Sequence, residues 1–258
     1  MSSPSDPKIL KVRDAKFSYP RNESFIEGLS FSVGEGEFIG LLGANGSGKS
    51  TILKLCSGIL RPSSGEVILW EKSLHAYSTK DRAKLISYLP QSLDASVPFT
   101  VKELVGMGLY PYDIPPAMTP ADALDLVGLT DKADAHLTDL SGGEKRRTFI
   151  AMTLLQGAGL LLLDEPLANL DIKYQIELIR LLKRLKADRN ISVVMALHDI
   201  NIAMQFEKVM LIRSGNIVGS GPPGELLTDG LLREAFDVEV KVIRHHGGKA
   251  FISYEDNF

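Results

Sequence analysis

A single cysteine, Cys56, stands among 258 residues, which excludes an internal disulfide and points to a reducing compartment, the cytosol. No apolar run approaches the ~18 residues that a membrane-spanning helix needs, so the chain is expected not to cross a bilayer by itself. Its start, "MSSPSDPKIL", has neither a basic opening nor an apolar stretch, and so does not read as an export signal. Positive charge is not in excess: 29 Lys and Arg face 32 Asp and Glu, a net charge of −3, which argues against nucleic acid as a partner. Tandem repeats and low-complexity tracts are absent too. What remains is 44% hydrophobic and 24% charged, an ordinary balance in a chain long enough to bury a sizeable core.

That core reads as α/β. Residues 1–7 are polar and contain proline, and are expected to form a flexible tail before a single domain over 8–258. From Ile9 to Val33 the rough alternation of "ILKVRDAKFSY" and "LSFSV" predicts antiparallel strands with one wet face. "EFIGLL" predicts a short buried strand, followed by a glycine-rich segment and a helical pattern through Leu60. Cys56 falls in line with Ile52, Leu55 and Ile59 at helical spacing, which makes it a small buried hydrophobe. "EVILW", "GLLLLD", "ISVVMAL" and "KVMLIR" predict further strands, the last three apolar enough to lie in a parallel sheet covered on both faces. "LIRSGNIVGSG" predicts a hairpin turning at Ser214-Gly215-Asn216, and "VEVKVIRHHGGKAFISY" a second turning between His245 and Gly248. About 92–155 the chain reads as a helical lobe inserted into the core. Its middle, Thr100 to Asp139, is rich in Pro and Ala and holds amphipathic patches such as "ADALDLVGL".

"GANGSGKS", Gly43 to Ser50, fits the pattern G-x-x-x-x-G-K-[ST] between a strand and a helix. Gly43, Gly46 and Gly48 permit backbone shapes that bring main-chain amides up to phosphate oxygens. The helix that follows turns its unpaired N–H groups and positive dipole end toward the anion. Lys49 is expected to place a cation on the β- and γ-phosphates, and the Ser50 hydroxyl to ligate Mg²⁺. Asn45, Ser47 and Thr51 complete the set of loop residues expected to hold the nucleotide.

"LLLLDEP" supplies acid at a strand end. Asp164 is expected to hold Mg²⁺ directly or through water, and Glu165, pointing elsewhere, to polarise an attacking water. Further on, "LSGGE" opens a helix with Ser141 placed as N-cap and Glu144 three residues on, the spacing of a capping box. Lys145, Arg146 and Arg147 read mostly as its solvated face.

In this order, "GANGSGKST", "LSGGE", "LLLLDEP", "LANLD" and "ALHD" resemble the ATP-binding-cassette (ABC) ATPases over nearly the whole chain. The resemblance implies a P-loop NTPase core with a mixed sheet, an N-terminal antiparallel β subdomain and an inserted α-helical subdomain. It implies ATP and Mg²⁺ as cofactors, and a head-to-tail homodimer in which the segment Ser141, Gly142 and Gly143 serves the partner's nucleotide. Gln91 in "SYLPQS" resembles the Q-loop glutamine that reaches Mg²⁺, Asp171 closes a D-loop-like "LANLD", His198 resembles the switch histidine at the γ-phosphate, and Tyr19 the aromatic that stacks on adenine. Leu167 departs from the Ser or Thr common at its position. Catalysis is thereby expected from Glu165, His198, Lys49 and Gln91, and metal ligation from Ser50, Gln91 and Asp164.

"TVKELVGMGLYPY" and the C-terminal segment resemble the cassettes of importers for iron–siderophores, haem and cobalamin. The implied partners are separate membrane permease subunits and, through them, an extracytoplasmic binding protein, which would place the chain in the cytoplasm on the inner face of the cell membrane. An importer for another solute, a soluble non-transport machine and a nucleotide-gated dimerisation module stand as alternatives. The missing coiled-coil insertion, second cassette and basic excess weigh against the soluble machine, and Glu165 with His198 against a module without turnover.

Overall fold

Alternating polar and apolar residues run roughly from Ile9 to Val33, and they form the paired strands that alternation predicts. The computed structural model describes residues 8–20, 25–93, 98–237, 240–244 and 250–254. The expected tail, 1–7, lies outside the described residues. The chain divides into two compact units: Met1–His75 with Val194–Phe258, and Ala76–Val193.

In the first unit β1 (Lys8–Phe17) pairs antiparallel with both β2 (Ile26–Gly34) and β4 (Ser64–Leu69). The alternation breaks at Asp14, whose φ of 45° coincides with a shift of register on both sides of β1, a bulge that re-aims the strand. Between β2 and β4 lie β3 (Phe38–Leu42), buried at every residue, and α1 (Lys49–Ser57). A short β5 (Lys72–Ser73) pairs with β4 and closes the sheet in the order β2-β1-β4-β5.

Helix α1 is shorter than its hydrophobic pattern predicts. Gly58 adopts φ 74° and bonds back to Leu55, while Ile59 N–H bonds to Lys54, so the turn ends the helix three residues before Leu60. Cys56 is buried as expected, but Ile59 lies beyond the cap and is 58% exposed.

The second unit opens with α2 (Thr79–Leu85) and β6 (Ile86–Leu89), then runs through α3 (Val101–Gly106), α4 (Pro120–Leu126) and α5 (Gly142–Leu155). It continues into β7 (Leu160–Asp164) and α6 (Ile172–Arg189). Among the described residues, no strand lies between Leu89 and Leu160; the nearest is one isolated bridge from Thr100 to His136. Three helices start on the same device: Thr100 with Glu103, Thr119 with Asp122 and Ser141 with Glu144 each form a reciprocal capping box. Helix α5 packs on both α3 and α4, and β6 runs parallel to β7 with Leu89 opposite Leu163.

Strand β8 (Ser192–Leu197), buried throughout, leads back to the first unit. There α7 (Ile200–Ala203) precedes β9 (Lys208–Arg213), which pairs parallel with β3 and antiparallel with β10 (Asn216–Gly221), so this sheet is mixed. The hairpin turns on Ser214 and Gly215, with φ of 46° and 76°, the paired left-handed residues of a type I′ turn. After α8 (Pro223–Leu226) and α9 (Asp229–Phe236), β11 (Val240–Arg244) and β12 (Ala250–Tyr254) pair antiparallel, as the second hairpin required. Its expected turn, His245 to Gly248, lies outside the described residues. Among the described residues, no helix is long and apolar enough to cross a membrane.

Candidate nucleotide site

The glycine-rich loop leaves β3 and enters α1 through a tightly packed turn. A Cβ on Gly43 would lie 2.3 Å from the Ile212 carbonyl oxygen and 2.7 Å from Ser47 Oγ, so only glycine fits there. Gly46 and Gly48 take φ of 77° and 109°, and Gly48 is the N-cap of α1. Lys49 is 4% exposed, and its ammonium donates to the carbonyls of Gly43 (2.8 Å) and Ala44 (3.0 Å), which pins the cation over the loop. Asn45 and Gly46 are exposed at the tip, while Ser50 is half-buried. Ser47 Oγ is buried with no hydrogen-bond partner among the described residues. A buried hydroxyl without a partner is rare, which makes Ser47 Oγ a candidate donor to a ligand.

Tyr19 joins this loop through Thr51: the two hydroxyls lie 3.0 Å apart. Its ring stands edge-on to Phe17 at 4.8 Å and tilted toward Phe25 at 6.1 Å, so the aromatic is both packed and half-exposed beside the helix start. His198 follows β8 and is exposed. Its neighbour Asp199 caps α7 instead, accepting from the amides of Asn201 (2.7 Å) and Ile202 (3.2 Å).

One supporting element escaped the sequence reading. The amide of Gly215, at the β9–β10 turn, donates to the Ser47 carbonyl over 2.7 Å. A Cβ on Gly215 would sit 2.1 Å from the Phe25 carbonyl oxygen, and one on Gly48 would sit 3.2 Å from Gly215 Cα. The hairpin turn thus props the glycine-rich loop from a position 168 residues further along the chain. Only the left-handed turn was legible in advance, not what it touches.

The second unit brings Gln91, Asp164 and Glu165 together. Asp164, 1% exposed at the end of β7, accepts from the Tyr88 hydroxyl at 3.3 Å. Glu165 sits at φ 49°, a conformation costly for a residue with a Cβ, and is half-buried. Its carboxylate accepts from Gln91 Nε2 at 2.9 Å.

Arg146 and Arg147 correct the sequence reading, for they are not a solvated face: they are 4% and 8% exposed. Arg146 spends all five of its N–H donors on carbonyls: Nε on Pro166 (3.3 Å), Nη1 on Pro90 and Gln91 (both 2.9 Å), and Nη2 on Asp164 (2.8 Å) and Glu165 (2.6 Å). Burial pulls this guanidinium below its ordinary pKa, against the opposing pull of the Asp164 and Glu165 charges. Arg147 donates to the carbonyls of Val127 (2.7 Å) and Gly128 (2.9 Å) and lies 4.0 Å over the Tyr174 ring. Only Lys145 of the three stays partly in solvent. From Arg146 to Leu155 every residue of α5 but Met152 is buried, so this helix lacks the polar outer face that its charges suggested.

Ser141 is exposed at the head of α5, its Oγ accepting from Glu144 N–H (3.3 Å) while its own N–H donates to Glu144 Oε2 (2.8 Å). The bond from the Ser141 backbone amide, with one from the Ser141 side chain, holds the Glu144 carboxyl below the usual glutamate range. Gly142 has open space where a Cβ would stand, and a Cβ on Gly143 would lie 3.3 Å from the Asn169 carbonyl oxygen. Asp171 occupies the N-cap position of α6, exposed, without a side-chain bond to that helix. Leu167, where a hydroxyl residue was expected, is 4% exposed and packs as a core side chain.

In the second unit Gln91 carries an amide oxygen and Asp164 a buried carboxylate, in the first Ser50 carries a hydroxyl, and no cluster of three or more His, Cys, Asp or Glu exists among the described residues. Hard oxygen donors in so small a number suit Mg²⁺, which keeps water and phosphate among its ligands, better than a metal held in a protein cage.

The chain matches the model of the ABC transporter family over residues 26–168. It is 39% identical to the hemin import ATP-binding protein HmuV of Nitrobacter winogradskyi over 234 residues, 87% of this chain and 86% of that protein. To the iron(3+)-hydroxamate import ATP-binding protein FhuC of Bacillus subtilis it is 37% identical, over 84% of each chain. Its backbone is similar to that of the ATP-binding cassette MJ0796, solved as a dimer in a post-hydrolysis state bound to ADP and Pi. That likeness has a TM-score of 0.76 at 26% identity and covers 83% of this chain and 98% of the other.

Proposed function

The chain belongs to the ABC transporter family and is an ATPase, and from that premise we propose that it energises the import of an iron chelate, a haem or an iron–siderophore complex. The names of its relatives support the choice of cargo: hemin in one, iron(3+)-hydroxamate in the other. The reading takes in a homodimer that encloses two nucleotides, permease subunits that hold it at the inner face of the membrane, and an extracytoplasmic binding protein beyond them.

The observation that carries hydrolysis is the 2.9 Å bond from Gln91 to Glu165. A carboxylate held by an amide keeps one oxygen oriented, which leaves the other to take a proton from water. Lys49 and the amides of Gly46 and Gly48 neutralise the phosphate charge, and Tyr19 stacks on the base. Ser50, in the first unit, and Asp164 and Gln91, in the second, are the residues that would hold Mg²⁺, which when bound would supply positive charge for phosphoryl transfer. His198 donates to the γ-phosphate, and Ser141 and the Gly143 amide serve the nucleotide of the second copy, with Asp171 at the same interface.

Two measurements test this. Co-reconstituted with its permease, the protein should drive uptake of ferric hydroxamate or haem only with ATP; uptake of neither, alongside transport of an unrelated solute, would replace the cargo. Mixing a Ser141→Arg subunit with a Lys49→Ala subunit should leave one competent composite site per heterodimer. A verified heterodimer without recovered turnover would count against service in trans.

A further inference from the structure

We propose that Arg146 is a positioning residue for hydrolysis, holding the Gln91 and Glu165 side chains in register by bonding the backbone beneath both. This rests on the hydrolytic roles given above to those two residues. The argument starts from the chain. Gln91 and Glu165 are 74 residues apart, and each leaves the end of its own strand on irregular backbone. Irregular segments do not satisfy their own carbonyls, and a buried carbonyl without a donor is costly. At this place five carbonyls, from Pro90, Gln91, Asp164, Glu165 and Pro166, converge on one guanidinium.

That convergence has a steric consequence. The plane of the guanidinium fixes two directions for Nη1 and two for Nη2, so the Pro90–Gln91 backbone and the Asp164–Glu165 backbone are set at a defined angle to each other. The 2.9 Å bond between the Gln91 and Glu165 side chains is made between backbones set in that way. Glu165 depends on the brace most, because its φ of 49° is held by surroundings and not by its own preference. Arg146 touches neither carboxylate in its hydrogen bonds; it acts through main-chain oxygens, so its effect falls on geometry.

Lysine keeps the charge but has two fewer donors and no plane, and it cannot reproduce the brace. Arg146→Lys is therefore expected to lower kcat at least about tenfold, since misplacement of a reacting group by ~1 Å can cost a hundredfold, while the dissociation constant for an ATP analogue stays within about twofold. Methylguanidine added to Arg146→Ala should restore part of kcat, and methylammonium should not. Hydrogen–deuterium exchange of the folded Arg146→Lys protein should rise at residues 90–93 and 164–168 and leave residues 43–51 unchanged. Wild-type turnover is measured first, because its absence would sink the hydrolytic reading itself, whatever Arg146 does. With an active wild type, Arg146→Lys turning over within twofold overturns the positioning role. So does a variant that loses nucleotide affinity and thermal stability together, which is what a purely structural arginine would give. Should Arg146→Lys not accumulate as folded protein, Arg146→Gln is read by the same three measurements.

Discussion

The side-chain amide of Gln91 donates to the carboxylate of Glu165 at 2.9 Å, while the backbones of both residues are bonded to a single arginine. A bond made across 74 residues of chain depends on two strands ending side by side, and β6 and β7 do so because they pair parallel in register. The functional consequences of the site follow from how firmly such distant pieces are held.

Glu165→Gln should preserve this bond, since the substituted amide still presents an oxygen to Gln91, but it removes the base. Turnover is expected to fall roughly a hundredfold or more with ATP affinity retained, and a nucleotide-bound dimer should accumulate on gel filtration. Hydrolysis near the wild-type rate would rule Glu165 out as the base.

Ser141 has a local duty and a proposed remote one, and substitution separates them. Ser141→Ala removes the cap of α5 and should cost about 1 kcal/mol of stability. Ser141→Asn keeps a capping oxygen and should melt within a degree or two of wild type, yet lose turnover if the hydroxyl also serves phosphate. Full activity in Ser141→Asn would reduce the residue to its cap.

Gly215→Ala should damage the phosphate loop from outside it. The added methyl meets the Phe25 carbonyl oxygen at 2.1 Å, and the position has φ 76°. A stability loss of at least about 2 kcal/mol and weaker ATP binding are expected, read by thermal melting and by titration with a fluorescent analogue. Gly224→Ala, with open space around its Cβ, is the control and should change neither.

Acid should loosen the head of α5. The Glu144 carboxyl lies below its ordinary value of 4.5 because the Ser141 backbone and side chain bond to its charged form. A depressed folded value means that this contribution is complete above the ordinary value and vanishes as pH falls through the folded one. Glu144→Gln should therefore melt below wild type at neutral pH and converge on it in acid. A gap that persists unchanged in strong acid would contradict the bond's dependence on charge.

Cys56 should be inert in the folded protein. Burial alone pushes its thiol up to about 12, leaving almost no thiolate near pH 8. A thiol reagent should label it only as fast as the protein opens, and stoichiometrically in denaturant. Rapid labelling of native protein would show that the helix does not bury it.

Much of this was legible along the chain because it is chemistry between near neighbours. The glycine-rich loop is built from eight consecutive residues, so Gly43 to Ser50 declare it. The capping box of Ser141 and Glu144 spans one helical turn, and the Ser214-Gly215 turn is set by two left-handed residues. Strand alternation told that β1 has a wet side, because side chains alternate along a strand whatever it packs against, but not that a bulge at Asp14 would break the alternation.

Tertiary structure alone decided the rest. Arg146 and Arg147 look like surface by charge, since burying a cation is ordinarily prohibitive and nothing nearby in sequence would compensate it. Compensation came from carbonyls 18 to 56 residues away, exposed as donors' targets only where strands end and backbone turns irregular. Ile59, apolar and in phase, was left in solvent by one glycine that stopped its helix. The sequence by itself determined the glycine-rich loop and its lysine, since contiguity supplies their geometry; the fold decided which charges are buried and which distant carboxylate and amide meet, since those depend on where separate segments end in space.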